Sequence, residues 1–252
     1  MRIRIIGSAS SGPPVQYASS YVINRTLAID AGSIGFAPQD QQADIRHLFL
    51  THSHADHTGT LPLFIENAYD ASGHPVVIYG LPETLRSLRN DVFNDRIWPD
   101  FVRISPPGRP FMRFQEIAPE QHIRVDSFSI LPAMVDHVVP TVGYVITDGP
   151  SSVVFGADSG PTDRIWQLTT EAPRPRSVFI EVAFPDSMEG LAGIAKHLTP
   201  TLLLTEVAKM PEMQRIIAVH LKPRFHKTIS GELKALRIPK LEIGVPGREY
   251  DL

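Results

Sequence analysis

Seven consecutive residues of this chain concentrate side chains that bind metal ions. The segment reads Thr51-His52-Ser53-His54-Ala55-Asp56-His57 and places three imidazoles and a carboxylate within six positions. Imidazole and carboxylate are the ligands that borderline divalent ions such as zinc prefer. Since the chain has only ten histidines among its 252 residues, this density is not expected by chance, and it predicts a metal site.

The elements predicted around this segment would aim its side chains at one point. The segment follows the apolar run of residues 47–50, which is typical of a buried strand. It precedes residues 58–69, whose apolar side chains recur near helical spacing and favour a helix. The candidate ligands therefore occupy a tight turn from a strand into a helix.

Three later residues are candidates for completing a site for two ions. His137, Asp158 and His220 each follow an apolar, strand-like run of sequence. Taken alone, each of them is more typical of a polar turn residue. Strand ends converge on a crevice in many α/β folds, so the three residues together with the histidine-rich segment favour a shared metal centre.

His197 is a candidate for contact with an anion. Thr199 is a good N-cap with Pro200 in the first helical position, so a helix is predicted to begin there. His197 lies just before this helix start, where backbone donors and the helix dipole favour anions. One helix and one returning strand would bring His197 close to His220. The alternative is a histidine with a purely structural role.

The order of these motifs resembles the metallo-β-lactamase superfamily. The resemblance implies an α/β fold, an αββα sandwich of two packed mixed β-sheets with helices on the outer faces, and a dinuclear metal centre. In that arrangement one ion is bound by His52, His54 and His137, the second by Asp56, His57 and His220, and both by Asp158. The chain has no cysteine, which excludes family members with a thiolate at the position of Asp158.

A further segment narrows the resemblance to a subfamily. Phe184-Pro185, followed by His197-Leu198-Thr199-Pro200, is similar to the class II 3′,5′-cyclic nucleotide phosphodiesterases. Gly7-Ser8, residues 29–33 and residues 155–161 are also similar to that group. The chain departs from it at Ala55, where leucine is usual, and near Ala183. The resemblance implies that His197 contacts the phosphate of the substrate.

The resemblance implies a metal-dependent hydrolysis of 3′,5′-cyclic nucleotides to 5′-monophosphates. Two divalent ions lower the pKa of a shared water and stabilise the charge that develops on a phosphodiester. We expect this bridging hydroxide to attack phosphorus, with His197, Asp158 and Asp56 as the catalytic residues. Zinc is the first choice of metal, and manganese and iron(II) remain open. Asp30 is predicted to hydrogen bond a ligand imidazole from outside the site.

Other functions remain open on the same residues. The substrate could be a 2′,3′-cyclic or ribosyl 1,2-cyclic phosphate or an RNA end, and cyclic AMP is not distinguished from cyclic GMP. Thioester or lactam cleavage, and a di-iron redox or sensing role, are weaker alternatives. The phosphate-facing position that the resemblance implies for His197 argues against thioester or lactam cleavage. The histidine at position 54 argues against a di-iron redox or sensing role.

Composition limits the classes of partner. The net charge is −3 and 42% of the residues are hydrophobic, so no broad basic field favours nucleic acid or a membrane surface. No run of sequence is long and apolar enough to span a bilayer, and the start of the chain does not resemble an export signal. We expect one domain over residues 1–252, a cytoplasmic location and a small-molecule substrate, with a homodimer left open.

Aromatic side chains between residues 93 and 111 allow two interpretations. Phe93, Trp98, Phe101 and Phe111 could line a substrate pocket or cap the hydrophobic core. Capping is the favoured interpretation.

Overall fold

The computed structural model describes residues 1–7, 11–12, 15–16, 18–69 and 74–252. The strands, in chain order, are β1 (Arg2–Gly7), β2 (Ser11–Gly12), β3 (Val15–Gln16), β4 (Ser20–Ile23), β5 (Leu27–Ile29), β6 (His47–Phe49), β7 (Val76–Gly80), β8 (Met112–Glu116), β9 (Ile123–Val125), β10 (Phe128–Val135), β11 (Thr141–Thr147), β12 (Ser152–Phe155), β13 (Pro175–Glu181), β14 (Arg215–Val219), β15 (Leu241–Ile243) and β16 (Glu249–Asp251). Ser8, part of the Gly7-Ser8 motif, lies outside the described residues.

Most of these strands form two mixed sheets. The first has the order β16-β1-β4-β5-β6-β7-β8, and the second has the order β15-β14-β13-β12-β11-β10-β9. Strands β5 to β8 run parallel to one another, as do β12 to β15. The carboxyl ends of parallel neighbours meet at the same edge of a sheet, so residues that follow these strands are brought together.

Helices cover the outer faces of the two sheets. The α-helices of the described residues, in chain order, are α1 (Gln39–Asp44), α2 (Ala55–Thr58), α3 (Leu61–Asn67), α4 (Pro82–Ser87), α5 (Arg164–Glu171), α6 (Glu189–Ala195), α7 (Pro200–Val207) and α8 (His226–Ala235). The apolar sides of α3 and α4 pack on the first sheet, and those of α5, α7 and α8 pack on the second. The predicted αββα sandwich is therefore confirmed.

Alternation of side chains along the strands separates the core into layers. In β6, Phe49 joins the cluster between the sheets, whereas its neighbour Leu48 packs beneath the outer helices. In β12, Val153 faces the space between the sheets and Val154 faces the helices of the second sheet. Both faces of these central strands are buried, which explains why they read as continuous apolar runs.

Several predicted boundaries differ from the observed ones. The helix predicted over residues 58–69 begins only at Leu61, as α3. Gly59 and Thr60 separate it from α2, which ends at Thr58. Helix α4 continues as a π-helical turn over Leu88–Val92. Strands β2, β3, β8, β9 and β16 and helix α1 are among the elements that were not predicted. Helix α1 is short and polar, so its sequence carries little apolar periodicity.

Among the described residues, no helix combines the length and apolar character needed to cross a bilayer. That residues 1–252 make up one domain stays a prediction.

A buried carboxylate joins two helices of the second layer and generates a stability prediction. Glu206 is fully buried and accepts hydrogen bonds from Trp166 Nε1 at 2.7 Å and from Lys209 Nζ at 2.8 Å. We expect Glu206→Ala to lower the free energy of unfolding by about 2–4 kcal/mol, because it leaves both donors without this acceptor. Urea denaturation measures the change.

The matched control removes an exposed ion pair. Glu212 pairs with Lys240 at 3.0 Å with its side chain 90% exposed. We expect Glu212→Ala to cost less than about 1 kcal/mol. Equal losses in the two variants would contradict the role assigned to Glu206.

Candidate metal centre

The seven predicted ligands converge at the edge where the strands of both sheets end. His52 follows β6, His137 follows β10, Asp158 follows β12 and His220 follows β14. Two groups of ligand atoms result, each with its members within 4.8 Å of one another. The first group is His52, His54 and His137, and the second is Asp56, His57, Asp158 and His220.

The first group consists of neutral imidazoles that face one another. His54 Nδ1 lies 3.4 Å from His137 Nε2. His52 Nε2 is buried and has no hydrogen-bond partner among the described residues. Burial lowers the pKa of His52 well below the ordinary value of imidazole, and it also lowers the pKa of His54 and that of His137. All three side chains therefore favour the unprotonated form that binds metal ions.

The second group combines imidazoles with carboxylates. His57 Nε2 lies 3.4 Å from His220 Nε2 and 3.3 Å from Asp158 Oδ1. His220 Nε2 also lies 3.1 Å from Asp56 Oδ2. Burial opposes ionisation of Asp158, but His220 and His57 hold the pKa of its carboxyl well below the usual range. The carboxylates are therefore ionised, as ligands for a divalent cation must be.

Asp158 lies between the two groups. Its Oδ2 is 4.0 Å from His52 Nε2 in the first group and 3.5 Å from His220 Nε2 in the second. Oδ2 is thus the oxygen near both groups, while Oδ1 lies beside His57 of the second group, and this position is the one expected of a residue that bridges two cations.

Hydrogen bonds from outside the site orient the imidazoles. His57 Nδ1 donates to Asp30 Oδ2 at 2.7 Å, and His137 Nδ1 donates to the Lys196 carbonyl at 3.1 Å. The Thr51 hydroxyl lies 3.0 Å from His52 Nδ1 and donates to Asp30. These contacts leave Nε2 of His52, His57 and His137 free to bind a metal. The predicted hydrogen bond between Asp30 and one of the candidate imidazoles is observed.

Backbone close to the site is held in uncommon geometry. Asp30 and His220 both have φ of 58°, in the left-handed region. Residues other than glycine adopt it rarely, and such strain concentrates at functional sites. A Cβ on Gly32 would lie 2.0 Å from the Asp56 carbonyl oxygen, so glycine is required where this turn packs against α2.

The donor set fits divalent cations. Two pairs of imidazole nitrogens face each other at 3.4 Å. His57 and His137 donate through Nδ1, so a cation or a shared proton between the facing nitrogens would satisfy their Nε2 atoms. The buried and unpartnered His52 Nε2 supports the same conclusion. Nitrogen and oxygen donors suit several divalent metals, so the site favours divalent ions without selecting one.

His197 forms a wall of this centre. Its ring centroid lies 5.8 Å from that of His220, and the sequence spacing predicted this proximity. The centroid of His137 lies 5.1 Å away. Thr199 caps α7 by accepting from Leu202 N. His197 Nδ1 donates to Glu181 Oε1 at 2.6 Å, so Nε2 is the nitrogen left for a substrate. Burial acts against the charged ring, yet Glu181 raises the pKa of His197 above its ordinary value.

Sequence reasoning missed the role of Glu181. This carboxylate is buried and also accepts hydrogen bonds from Ser159 N at 2.9 Å and Ala183 N at 3.1 Å. It follows the buried residues of β13 and ends that strand, so the strand-end argument that selected Asp158 would also have selected it.

The aromatic side chains between residues 93 and 111 belong to the hydrophobic core of the first layer. Phe93 and Phe101 are buried in the cluster between the first sheet and its helices, and Trp98 and Phe111 pack against that cluster. The favoured interpretation, that they cap the core, is confirmed.

Comparison with known proteins agrees with this geometry. A probable 3′,5′-cyclic-nucleotide phosphodiesterase of Yersinia pestis is 25% identical over 224 residues, which are 79% of this chain and 63% of that protein. The match thus spans less than two thirds of that relative. A nuclear ribonuclease Z of Triticum aestivum is 28% identical over 145 residues, 58% of this chain and 78% of that protein.

Solved structures show the same fold. Unliganded yeast PDE1 superposes with a TM-score of 0.83 at 17% identity, covering 98% of each chain. A family model described as the beta-lactamase superfamily domain matches residues 29–221. With the phosphodiesterase relative, this match supports the predicted metal-dependent hydrolase. The protein thus belongs to the beta-lactamase superfamily, whose metallo-β-lactamase members the sequence resembles.

Proposed function

We propose that this protein is a phosphodiesterase that uses two divalent ions to hydrolyse 3′,5′-cyclic nucleotides to 5′-monophosphates. The observation that carries the proposal is the position of His197 beside both ligand groups, with one nitrogen bound to Glu181. A cationic imidazole next to a dinuclear centre suits an anionic substrate. Similarity to the probable 3′,5′-cyclic-nucleotide phosphodiesterase of Yersinia pestis supports the phosphodiesterase class.

The proposed ligands are the two groups described above. His52, His54 and His137 would hold one ion, Asp56, His57 and His220 the other, and Asp158 both. Bound ions would lower the pKa of a water and neutralise charge on the phosphodiester. The protein orients its own groups for this chemistry, since Asp158 and Asp56 are ionised and the imidazoles are held by Asp30, Thr51 and Lys196.

His197 is proposed to act on the substrate directly. Its Nε2 would donate a hydrogen bond to a phosphoryl oxygen and then transfer the proton to the departing 3′ oxygen of the ribose. Glu181 stabilises the protonated ring and fixes its orientation. Opening of the cyclic diester at this oxygen yields the 5′-monophosphate.

A second candidate substrate is the end of an RNA. The similarity to ribonuclease Z of Triticum aestivum favours it. The net charge of −3 argues against it, because RNA-binding surfaces are usually strongly basic. A small cyclic nucleotide is therefore preferred. A cytoplasmic location and a homodimer stay predictions.

The metal assignment predicts two ions per chain. We expect His137→Gln and His220→Gln each to lower the metal content measured by inductively coupled plasma mass spectrometry. Each variant loses a ligand from a different one of the two ligand groups. Asp30→Asn should weaken metal affinity by about 10–100-fold through His57. His122→Gln is the control, because His122 is exposed and bonds Ser129. Unchanged metal content in both ligand variants would refute the assignment.

The substrate assignment is tested by parallel assays of the metal-loaded enzyme. Cyclic AMP, cyclic GMP, 2′,3′-cyclic AMP, a short RNA and bis(p-nitrophenyl) phosphate are compared by kcat/KM. We expect a 3′,5′-cyclic nucleotide to be the best natural substrate, and chelation to abolish its turnover. A strong preference for the 2′,3′ ring or for RNA would rule out this substrate.

The role of His197 predicts a separation of activity from metal binding. We expect His197→Ala to keep its metal and lower kcat by about 10²–10⁴-fold, since it removes a general acid. Glu181→Gln should lower kcat less, because the imidazole remains. His122→Ala controls for loss of an unrelated imidazole. Wild-type kcat in His197→Ala would exclude the proposed role.

A further inference from the structure

Lys222 has features that the metal centre and His197 do not explain. It follows the proposed ligand His220 by two residues and is half-buried. Its ammonium Nζ lies over the ring of Phe184, 5.1 Å from the centroid. Lys196, Lys209 and Lys240 each pair with a carboxylate. Within the described part of the chain, Lys222 has no such partner.

The surroundings hold Lys222 in place. Its carbonyl accepts a hydrogen bond from Phe225 N at 2.8 Å, in a turn whose first residue is Pro223. Phe184 is buried against Phe225, at 6.3 Å between ring centroids. The ammonium is thus carried on an ordered backbone and an ordered aromatic ring. Less conformational entropy is lost when such a group binds a ligand than when a free surface lysine does.

Phe184 connects Lys222 with the proposed catalytic wall. Its ring centroid lies 5.7 Å from that of His197. Backbone N–H groups of Ala183 and Phe184 both donate to the Leu198 carbonyl, which ties this segment to the residue after His197. Lys222 and His197 therefore belong to one side of the site.

A bound anion would stabilise a cation in this position. Lys222 is linked to His197 through the ring of Phe184, and it lies two residues after a proposed ligand of a centre for two divalent ions. A bound phosphodiester would supply the missing negative charge, and its oxygens accept hydrogen bonds from ammonium groups.

We propose that Lys222 is a substrate-binding residue whose ammonium, positioned by Phe184, binds a phosphoryl oxygen of the substrate. The inference rests on the proposed phosphodiesterase function, and it specifies anionic phosphate as the recognised group. Lys222 contributes binding, while His197 contributes proton transfer. The two residues therefore affect different kinetic constants.

The experiment compares Lys222→Met and Lys222→Arg with the wild type in the metal-loaded enzyme. For Lys222→Met we expect KM for bis(p-nitrophenyl) phosphate to rise about 10–100-fold, with little change in kcat. The affinity for inorganic phosphate, measured by calorimetry, should fall by a similar factor. Lys222→Arg should recover most of both losses because it keeps the charge. Lys227→Met, on the exposed side of α8, is the matched control and should resemble the wild type.

The phosphate and bis(p-nitrophenyl) phosphate measurements separate this proposal from the choice of natural substrate. Failure to hydrolyse any cyclic nucleotide would refute that choice and leave these measurements informative. Phosphate affinity in Lys222→Met equal to that of the wild type would overturn the role of Lys222. So would reduced metal content or a lower Tm in that variant, or an arginine variant as impaired as the methionine one.

Discussion

The rest of the site depends on the close approach of imidazole nitrogens and carboxylate oxygens at one edge of the sandwich. Facing nitrogens at 3.4 Å and a buried, unpartnered His52 Nε2 make an arrangement that a shared cation stabilises. The same groups in a protein without cations would repel one another or share protons. The fold therefore holds together ligands that favour divalent ions, and the proposed chemistry follows from that choice of atoms.

The layer of hydrogen bonds around the ligands gives the site its geometry. Asp30 receives His57 and Thr51, and the Lys196 carbonyl receives His137. Each contact occupies the nitrogen that does not face the centre, so the tautomer and the ring orientation are set before any ion binds. The left-handed backbone at Asp30 and His220 belongs to this same arrangement. Strain there is sustained because both residues follow strands packed within the sheets.

One side of the centre carries groups suited to the proposed anionic substrate. Glu181 orients His197 and stabilises its protonated form. Phe184 then connects His197 with Lys222. Glu181 ends β13, Phe184 and Lys222 lie shortly after β13 and β14, and His197 lies between α6 and α7. Binding of a phosphate and proton transfer to its leaving group thus have separate residues in the proposed mechanism.

Local sequence was enough to identify the candidate side chains and the strands and turns that carry them. The spacing from His52 to His57, the cap at Thr199 and the apolar runs before Asp158 and His220 are local signals, and the corresponding strands and helix were predicted correctly. The break at Gly59 and strand β8 were not predicted, because both depend on packing against neighbouring elements. The hydrogen bond between Glu181 and His197 and the position of Lys222 over Phe184 are visible only in the folded chain. Those contacts join residues 16 and 38 positions apart in the chain. Distances between such residues are set by how the strands align within the sheets, which local sequence does not specify.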